Sequence, residues 1–408
     1  MARRTVAPQL ADITQDIAGE IPVSVVLGWA TGEKTAKRHK KMLAPYTVQA
    51  TVVSSDSAGL SKLSQKRRLL EVMKLVSDPK EVIYAYGTHI GGKAIGTWAA
   101  DNTEMLYPAD ISVADVVGQM MAAQQELRSL PVKVGLCIHH GEFIHIGGGL
   151  FGKDADMVEA IAERYTEGGD ILLTSQAHTR VSPALQQSAV KLFIDKLRIP
   201  TYKLTNHTPI SHKGKSTDTR YPLPFSEDFF RLLTQFDKLK PQVIKSVYLR
   251  YAKEKVVVLI KIHHRLHRFL LDQFAHWILA NAVFQTDASA YGMERIKSNG
   301  SLGIFVTDDI QNACSFAKNL HRKLGENGYR ASIGIARGEV LIFPMSDGAK
   351  DIAGNPVNVA SKLAEDGDTE GNIWIESSAM PRTKKLAGEP FTTTISHVQL
   401  QGTVIRPH

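Results

Sequence analysis

The sequence predicts an α+β fold built twice: two units in tandem, each a mostly antiparallel sheet with flanking helices. Three observations carry this. The stretch "VKVGLCIHHGEFIHI" (Val132 to Ile146) resembles "YRASIGIARGEVLIF" (Tyr329 to Phe343). Further on, "GGDILLTSQA" (Gly168 to Ala177) resembles "EGNIWIESSA" (Glu370 to Ala379). Between these anchors each half places a helix, "DMVEAIAERY" in the first and "NVASKLAED" in the second, with Asp156 matching Asn358 and Ala160 matching Lys362. Self-similarity of this kind marks a duplicated structural unit.

The elements follow in order. The first unit opens on an apolar strand, "TVQATVVSSD", which ends at Asp56. A turn of small residues, "SAGLS", then leads into the helical "KLSQKRRLLEVMKLV". A β-α-α-β connection brings the chain to "GTWAADNTEMLYP", which carries Asp101. Next comes a hairpin with an expected tight turn at Gly141–Glu142, repeated at Gly338–Glu339, and after it a helix and a strand. Thr205 to Asp228 is rich in Pro, Ser, Thr and Lys without periodicity, as a linker is. The expected organisation is an N-terminal extension over residues 1–45, a first unit over 46–205, a linker and connecting helix over 206–253, and a second unit over 254–408 that starts on "KVVVLIKI".

Bulk properties narrow the function classes. A chain of 408 residues has room for two cores, and 43% hydrophobic with 22% charged residues is ordinary for a globular protein. The net charge of +8 suits anionic ligands, but it is dispersed and no aromatic ladder interleaves it, which argues against a nucleic-acid partner. Two cysteines, Cys137 and Cys314, make neither a disulfide framework nor a paired metal spacing, so a reducing, cytoplasmic setting is expected. The most apolar helical stretch, Phe269 to Phe284, contains Asp272, Gln273 and His276 and is too short for a bilayer, so no membrane segment is expected.

Chemistry concentrates after the first strand. A helix start behind small residues offers backbone N–H groups and a positive dipole end, a seat for phosphate. A carboxylate beside such a seat repels anions unless a cation lies between, so Asp56 asks for Mg²⁺. Asp101 is the second candidate. On spacing alone, both are equally well read as turn formers.

The motifs resemble those of class III nucleotidyl cyclases, the adenylate and guanylate cyclases. "DSAGLS" is similar to the D-x-x-G-[FY]-[ST] turn, with Leu60 where an aromatic is usual. "ERIKSNGSLGIFV" (Glu294 to Val306) resembles the E-K-I-K-T-x-G-[DS] hairpin, and "DIAGNPVNVASKL" (Asp351 to Leu363) resembles D-[IV]-x-G-x-x-V-N-x-A-S-R. The resemblance implies two palm-type, ferredoxin-like domains packed head to tail as an intramolecular pseudo-heterodimer. It implies one active site between them that converts ATP to 3′,5′-cyclic AMP and pyrophosphate.

The same resemblance assigns residues. Asp56 and Asp101 would bind two Mg²⁺ or Mn²⁺ ions, and the backbone of Ser57, Ala58, Gly59 and Leu60 would receive phosphates. Lys297 and Asp351 would read the base, Asn358 would position the ribose, and Lys362 would stand where the family has a transition-state Arg. Lys carries the charge without the bidentate fork. Adenine offers an acceptor at N1 and a donor at N6, which a Lys donor and an Asp acceptor complement. The second unit carries Ile262 and Ser301 at the metal positions, while the first carries Asp156 and Ala160 at the Asn and Arg positions, so the losses are complementary. Gln399 and Gln401 stand where the family often has a phosphate-binding Lys. The alternatives are a nucleotide-binding pseudocyclase, or a cyclase of GTP or a pyrimidine nucleotide. No motif in residues 1–45 or in the linker identifies a regulator.

Overall fold

The computed structural model describes residues 14–15, 19–20, 23–58, 67–96, 98, 102–205, 212–222, 225–263, 267–284, 288–299, 301–346, 348–367, 371–380, 388–395 and 398–406. The first half contains β1 (Thr47–Ala58), α1 (Leu69–His89), β2 (Lys93–Ala94), β3 (Thr103–Pro108), α2 (Val113–Leu127), β4 (Lys133–Ile146), β5 (Gly149–Phe151), α3 (Lys153–Tyr165), β6 (Ile171–Thr174), β7 (Ala189–Ile194) and β8 (Ile199–Leu204). The second half repeats the series as β9 (Ala252–Ile262), α4 (Leu270–Phe284), β10 (Glu294–Asn299), β11 (Leu302–Thr307), α5 (Ile310–Glu326), β12 (Ala331–Pro344), β13 (Lys350–Ala353), α6 (Asn355–Asp366), β14 (Ile373–Glu376), β15 (Glu389–Ile395) and β16 (Val398–Ile405).

The two sheets have one strand order. The first runs β2-β3-β1-β4-β6-β8-β7 with β5 paired to β4, and the second runs β10-β11-β9-β12-β14-β16-β15 with β13 paired to β12. The pairs β4–β6 and β12–β14 are parallel, and the other described pairings are antiparallel. Two similarly built α+β units are therefore present.

Each sheet buries both faces, because its central strands alternate between two helical layers. Val53, Met105, Leu136 and Ile138 pack under α1 and α2, whereas Val52, Leu106 and Cys137 pack under α3. In the second half Val258, Phe305 and Ile333 face α4 and α5, whereas Val257, Leu259 and Ile304 face α6.

Two expectations are corrected. The Gly-Glu pairs make no turn: β4 and β12 run straight through Gly141–Glu142 and Gly338–Glu339. The long partner strands β1 and β9 keep pairing across them, with Ala50 opposite Gly141 and Lys255 opposite Gly338. Gly141 is needed for close approach, since a Cβ there would collide with the Asp154 carboxylate and the His139 ring. In the first half the chain reverses later, at Gly147 and Gly148, whose φ values of 63° and 87° lie in the left-handed region. The second correction is to the β-α-α-β connection. The described residues between β1 and β3 form a single helix, α1, followed by the short strand β2.

Among the described residues, two apolar clusters join the halves. Helix Glu227–Thr234 and helix Pro241–Tyr251 bring Phe229, Leu233 and Tyr251 against Leu70 of α1 and against Leu341 and Phe343 of β12. At the other cluster, helix Val23–Ala30 sets Val26 and Trp29 against Phe151 of β5 and against Phe274 and Trp277 of α4. There the Trp29 indole N–H donates to Asp272 Oδ1 at 2.9 Å, and Lys34 pairs with the same carboxylate at 2.7 Å. Among the described residues, no helix is long and apolar enough to cross a membrane.

Candidate functional site

The β1 strand carries Asp56 toward α3, on the same face as Val52 and Ser54. A cleft of about 150 Å³ opens there, lined by Ser54, Ser55, Asp56, Asn102, Glu159, Ala162 and Glu163. Ser57 and Ala58 belong to β1 itself, paired with Val134 and Lys133, so the strand runs two residues past Asp56 before any turn. Gly59, Leu60 and Asp101 lie outside the described residues.

Carboxyl groups that the motifs do not mark lie in the cleft wall, at Glu159 and Glu163, and buried behind it, at Glu104. Glu104 of β3 lies directly opposite Ser54 and is only 5% exposed. Burial, reinforced by the nearby Glu159 carboxylate, pushes its carboxyl up to about 8. Glu159 reaches solvent at the mouth, yet it is held up by the surrounding protein and by its acidic neighbours Glu163 and Asp156, with Lys261 of β9 opposing them. That opposition comes from the other half of the chain. Glu104 had a visible signal in the sequence: it interrupts the otherwise apolar strand "TEMLYP". Glu159 had none, because its role depends on which face of α3 meets the sheet.

Oxygen donors dominate this lining, and Asn102 Oδ1 is buried there with no hydrogen-bond partner among the described residues. Such a donor set suits a hard cation. Among the described residues, no group of three or more His, Cys, Asp or Glu side chains is arranged to hold a metal ion.

In the second half, Lys297 and Asp351 are brought together. Lys297 follows a register shift in β10, and its Nζ lies 3.4 Å from Asp351 Oδ2. Asp351 is buried, and its Oδ1 accepts the Ile352 N–H at 2.8 Å. Asn358 and Lys362 stand one turn apart on α6, Asn358 exposed and Lys362 half-buried. This helix starts after Gly354, with Pro356 in its first turn. It lies so close to β12 that a Cβ at Gly334 would collide with the Ala360 carbonyl.

The ladder registers equate positions between the halves and correct one assignment. Gly135 and Ser332 occupy the same place in the repeat, and opposite them stand Asp56 and Lys261. The counterpart of Asp56 is therefore Lys261, not Ile262, whose side chain is buried with α4 and α5 on the other face. Asp351 corresponds to Gly149, which pairs with Ile146 as Asp351 pairs with Phe343. Lys297, paired with Ile304, corresponds to Ile95, whose N–H donates to the Glu104 carbonyl. Glu104 itself corresponds to Ile304.

A solved structure shares this two-sheet architecture: a class III adenylyl cyclase-like ATP-binding protein from Pseudomonas aeruginosa, with a TM-score of 0.51 at 10% identity, over 89% of this chain and 93% of that one. The chain has that protein's fold. The non-canonical dimeric guanylyl cyclase domain of the RhoGC fusion protein from Blastocladiella emersonii matches 39% of this chain and 97% of its own, with a TM-score of 0.33 and 13% identity. The adenylyl cyclase CyaB from P. aeruginosa matches 43% of this chain and 97% of its own, with a TM-score of 0.32 and 12% identity. The sequence matches no family profile and no curated relative.

Proposed function

We propose that the chain is a nucleotidyl cyclase with a single active site between its halves, converting ATP to 3′,5′-cyclic AMP and pyrophosphate. The observation that carries this is the complementary division of groups. The first half keeps Asp56 where the second has Lys261, and the second keeps Lys297 and Asp351 where the first has Ile95 and Gly149. Head-to-tail packing is supported by the interaction of Glu159 on α3 with Lys261 across the halves. In such packing, a pseudo-two-fold axis sets α6, with Asn358 and Lys362, toward Asp56 as it sets α3 toward Lys261.

The roles follow from chemistry. Asp56, with Asp101, would hold two Mg²⁺ or Mn²⁺ ions, which when bound neutralise phosphate charge and lower the pKa of the ribose 3′-hydroxyl. Lys297 donates to adenine N1, and Asp351 accepts from the N6 amine. In the free protein these two side chains satisfy each other, so the base enters by replacing their mutual contact. Asn358 positions the ribose so that its 3′-oxygen lies in line with the α-phosphorus. Lys362 offsets the charge that builds on phosphorus as pyrophosphate leaves. The backbone from Ser57 to Leu60 receives the β- and γ-phosphates. The two free cysteines, Cys137 and Cys314, are both buried and fit a reducing cytoplasm.

A second reading, ATP binding without turnover, is favoured by Lys362 in place of Arg, since Lys keeps the charge that attracts phosphate but lacks the bidentate fork. Incubation with ATP, GTP, CTP or UTP and Mg²⁺ or Mn²⁺, with detection of cyclic nucleotide, separates the two. Cyclic AMP lost in Asp56→Ala supports the cyclase. Binding of a non-hydrolysable ATP analogue with no cyclic product from any nucleotide establishes the second reading.

A further inference from the structure

The two sheets end on equivalent hairpins whose outer strands differ. In the second half β15 reads "EPFTTTI", a run of threonines; in the first, β7 reads "AVKLFI". On β7, Val190 is 49%, Leu192 40% and Phe193 59% exposed. Among the described residues β7 pairs with β8 alone, so its other edge is open. A soluble protein ordinarily blunts such an edge with charge, proline or a covering loop.

The backbone adds a direction. Pro200 stands opposite Phe193 and has no N–H to donate, so this pair is of the non-hydrogen-bonded kind. The main-chain N–H and C=O of Phe193 therefore point out from the sheet, as do those of Lys191 two residues earlier.

We propose that a second copy of this chain docks here, β7 against β7 in antiparallel pairing about a two-fold axis through Phe193. Charge complementarity selects both occupant and register. Centred on Phe193, the pairing sets Phe193 opposite Phe193 and brings Lys191 of each copy beside the Asp195 side chain of the other, at the first turn residue after β7. Centring it on Lys191 opposes two lysines, and centring it on Asp195 opposes two aspartates. The interface is isologous, so every favourable contact occurs twice. It is independent of any nucleotide reaction.

Sedimentation velocity of the full chain over a dilution series tests this. The wild-type chain is expected to form a reversible dimer, and Phe193→Asp is expected to weaken it by about 30-fold or more. Lys191→Asp weakens association by opposing two carboxylates, and adding Asp195→Lys to it restores the dimer. These side chains are exposed, so unchanged circular dichroism and melting confirm that each variant is folded. A wild-type chain that stays monomeric throughout overturns the proposal. So does a dimer that Phe193→Asp leaves intact, or an edge protected from hydrogen exchange only when an unrelated protein binds.

Discussion

At one place the two halves solve the same structural problem differently. Where β2 and β5 approach each other in the first half, Gly96 donates its N–H to the Gly148 carbonyl at 3.1 Å. At the equivalent approach of β10 to β13, the Lys297 ammonium faces the Asp351 carboxylate. A backbone bond closes the first meeting point, and a side-chain ion pair occupies the second. The comparison teaches that strand order and burial pattern tolerate a complete exchange of chemistry at a few positions. The sheet needs only alternation, while the site needs particular donors and acceptors.

The comparison can be broken most severely at Asp56. Asp56→Lys makes the first half resemble the second, and cyclic nucleotide production should fall by about 10³-fold or more. Far-UV circular dichroism should not change, because Lys261 already occupies the same place on the other sheet. Next is Gly334→Val. The first half accommodates Cys137 at the matching position, but α6 lies on Gly334 itself, so the variant should lose about 3 kcal/mol in denaturant unfolding. Lys297→Glu exchanges a donor for an acceptor and should shift the ATP to GTP preference toward GTP by roughly 10- to 100-fold in competition assays.

Glu104→Ile imports the residue of the second half. The folded-state carboxyl holds its proton up to about 8 against an ordinary value of 4.5, so the native state binds more protons than the unfolded chain in that window. The wild-type protein should therefore lose stability as pH rises from 4.5 to about 8. The variant should melt with a flatter pH profile and gain roughly 2 kcal/mol near the upper end. The smallest effect belongs to Glu159 and Lys261. In a double-mutant cycle, Glu159→Lys with Lys261→Glu should recover roughly 0.5 kcal/mol relative to the two single changes, since Glu159 is open to solvent.

Much of this arrangement was legible in the sequence. The repeated strings around Gly141 and Gly338 and before Ala177 and Ala379 place β4, β6, β12 and β14 correctly, and "DIAGNPVNVASKL" marks β13 and α6. What the strings did not reveal depends on faces. Lys261 and Ile262 are neighbours in sequence, and only the packing of Ile262 under α4 and α5 shows which of them matches Asp56. Gly141 was expected to turn the chain, because a glycine that permits a turn and one that permits a close approach look alike until the strand beside it is seen to continue. Glu104 and Glu159 lie far apart in sequence and meet only through the packing of α3 on the sheet.

Trp29 sets a timetable for the chain. It is fully buried, and its hydrogen-bond acceptor Asp272 lies 243 residues later. During synthesis at about 5–20 residues per second, the helix that carries Trp29 waits for roughly ten seconds or longer before α4 exists to cover it. Leu43, Ile146 and Phe151 can cover part of its apolar face earlier, but the part that meets Phe274 and Trp277 stays open until α4 is made. Completion of this tryptophan's burial is thus a late event of assembly, and in a variant whose other three tryptophans are replaced by phenylalanine its fluorescence should report when the second half has joined the first.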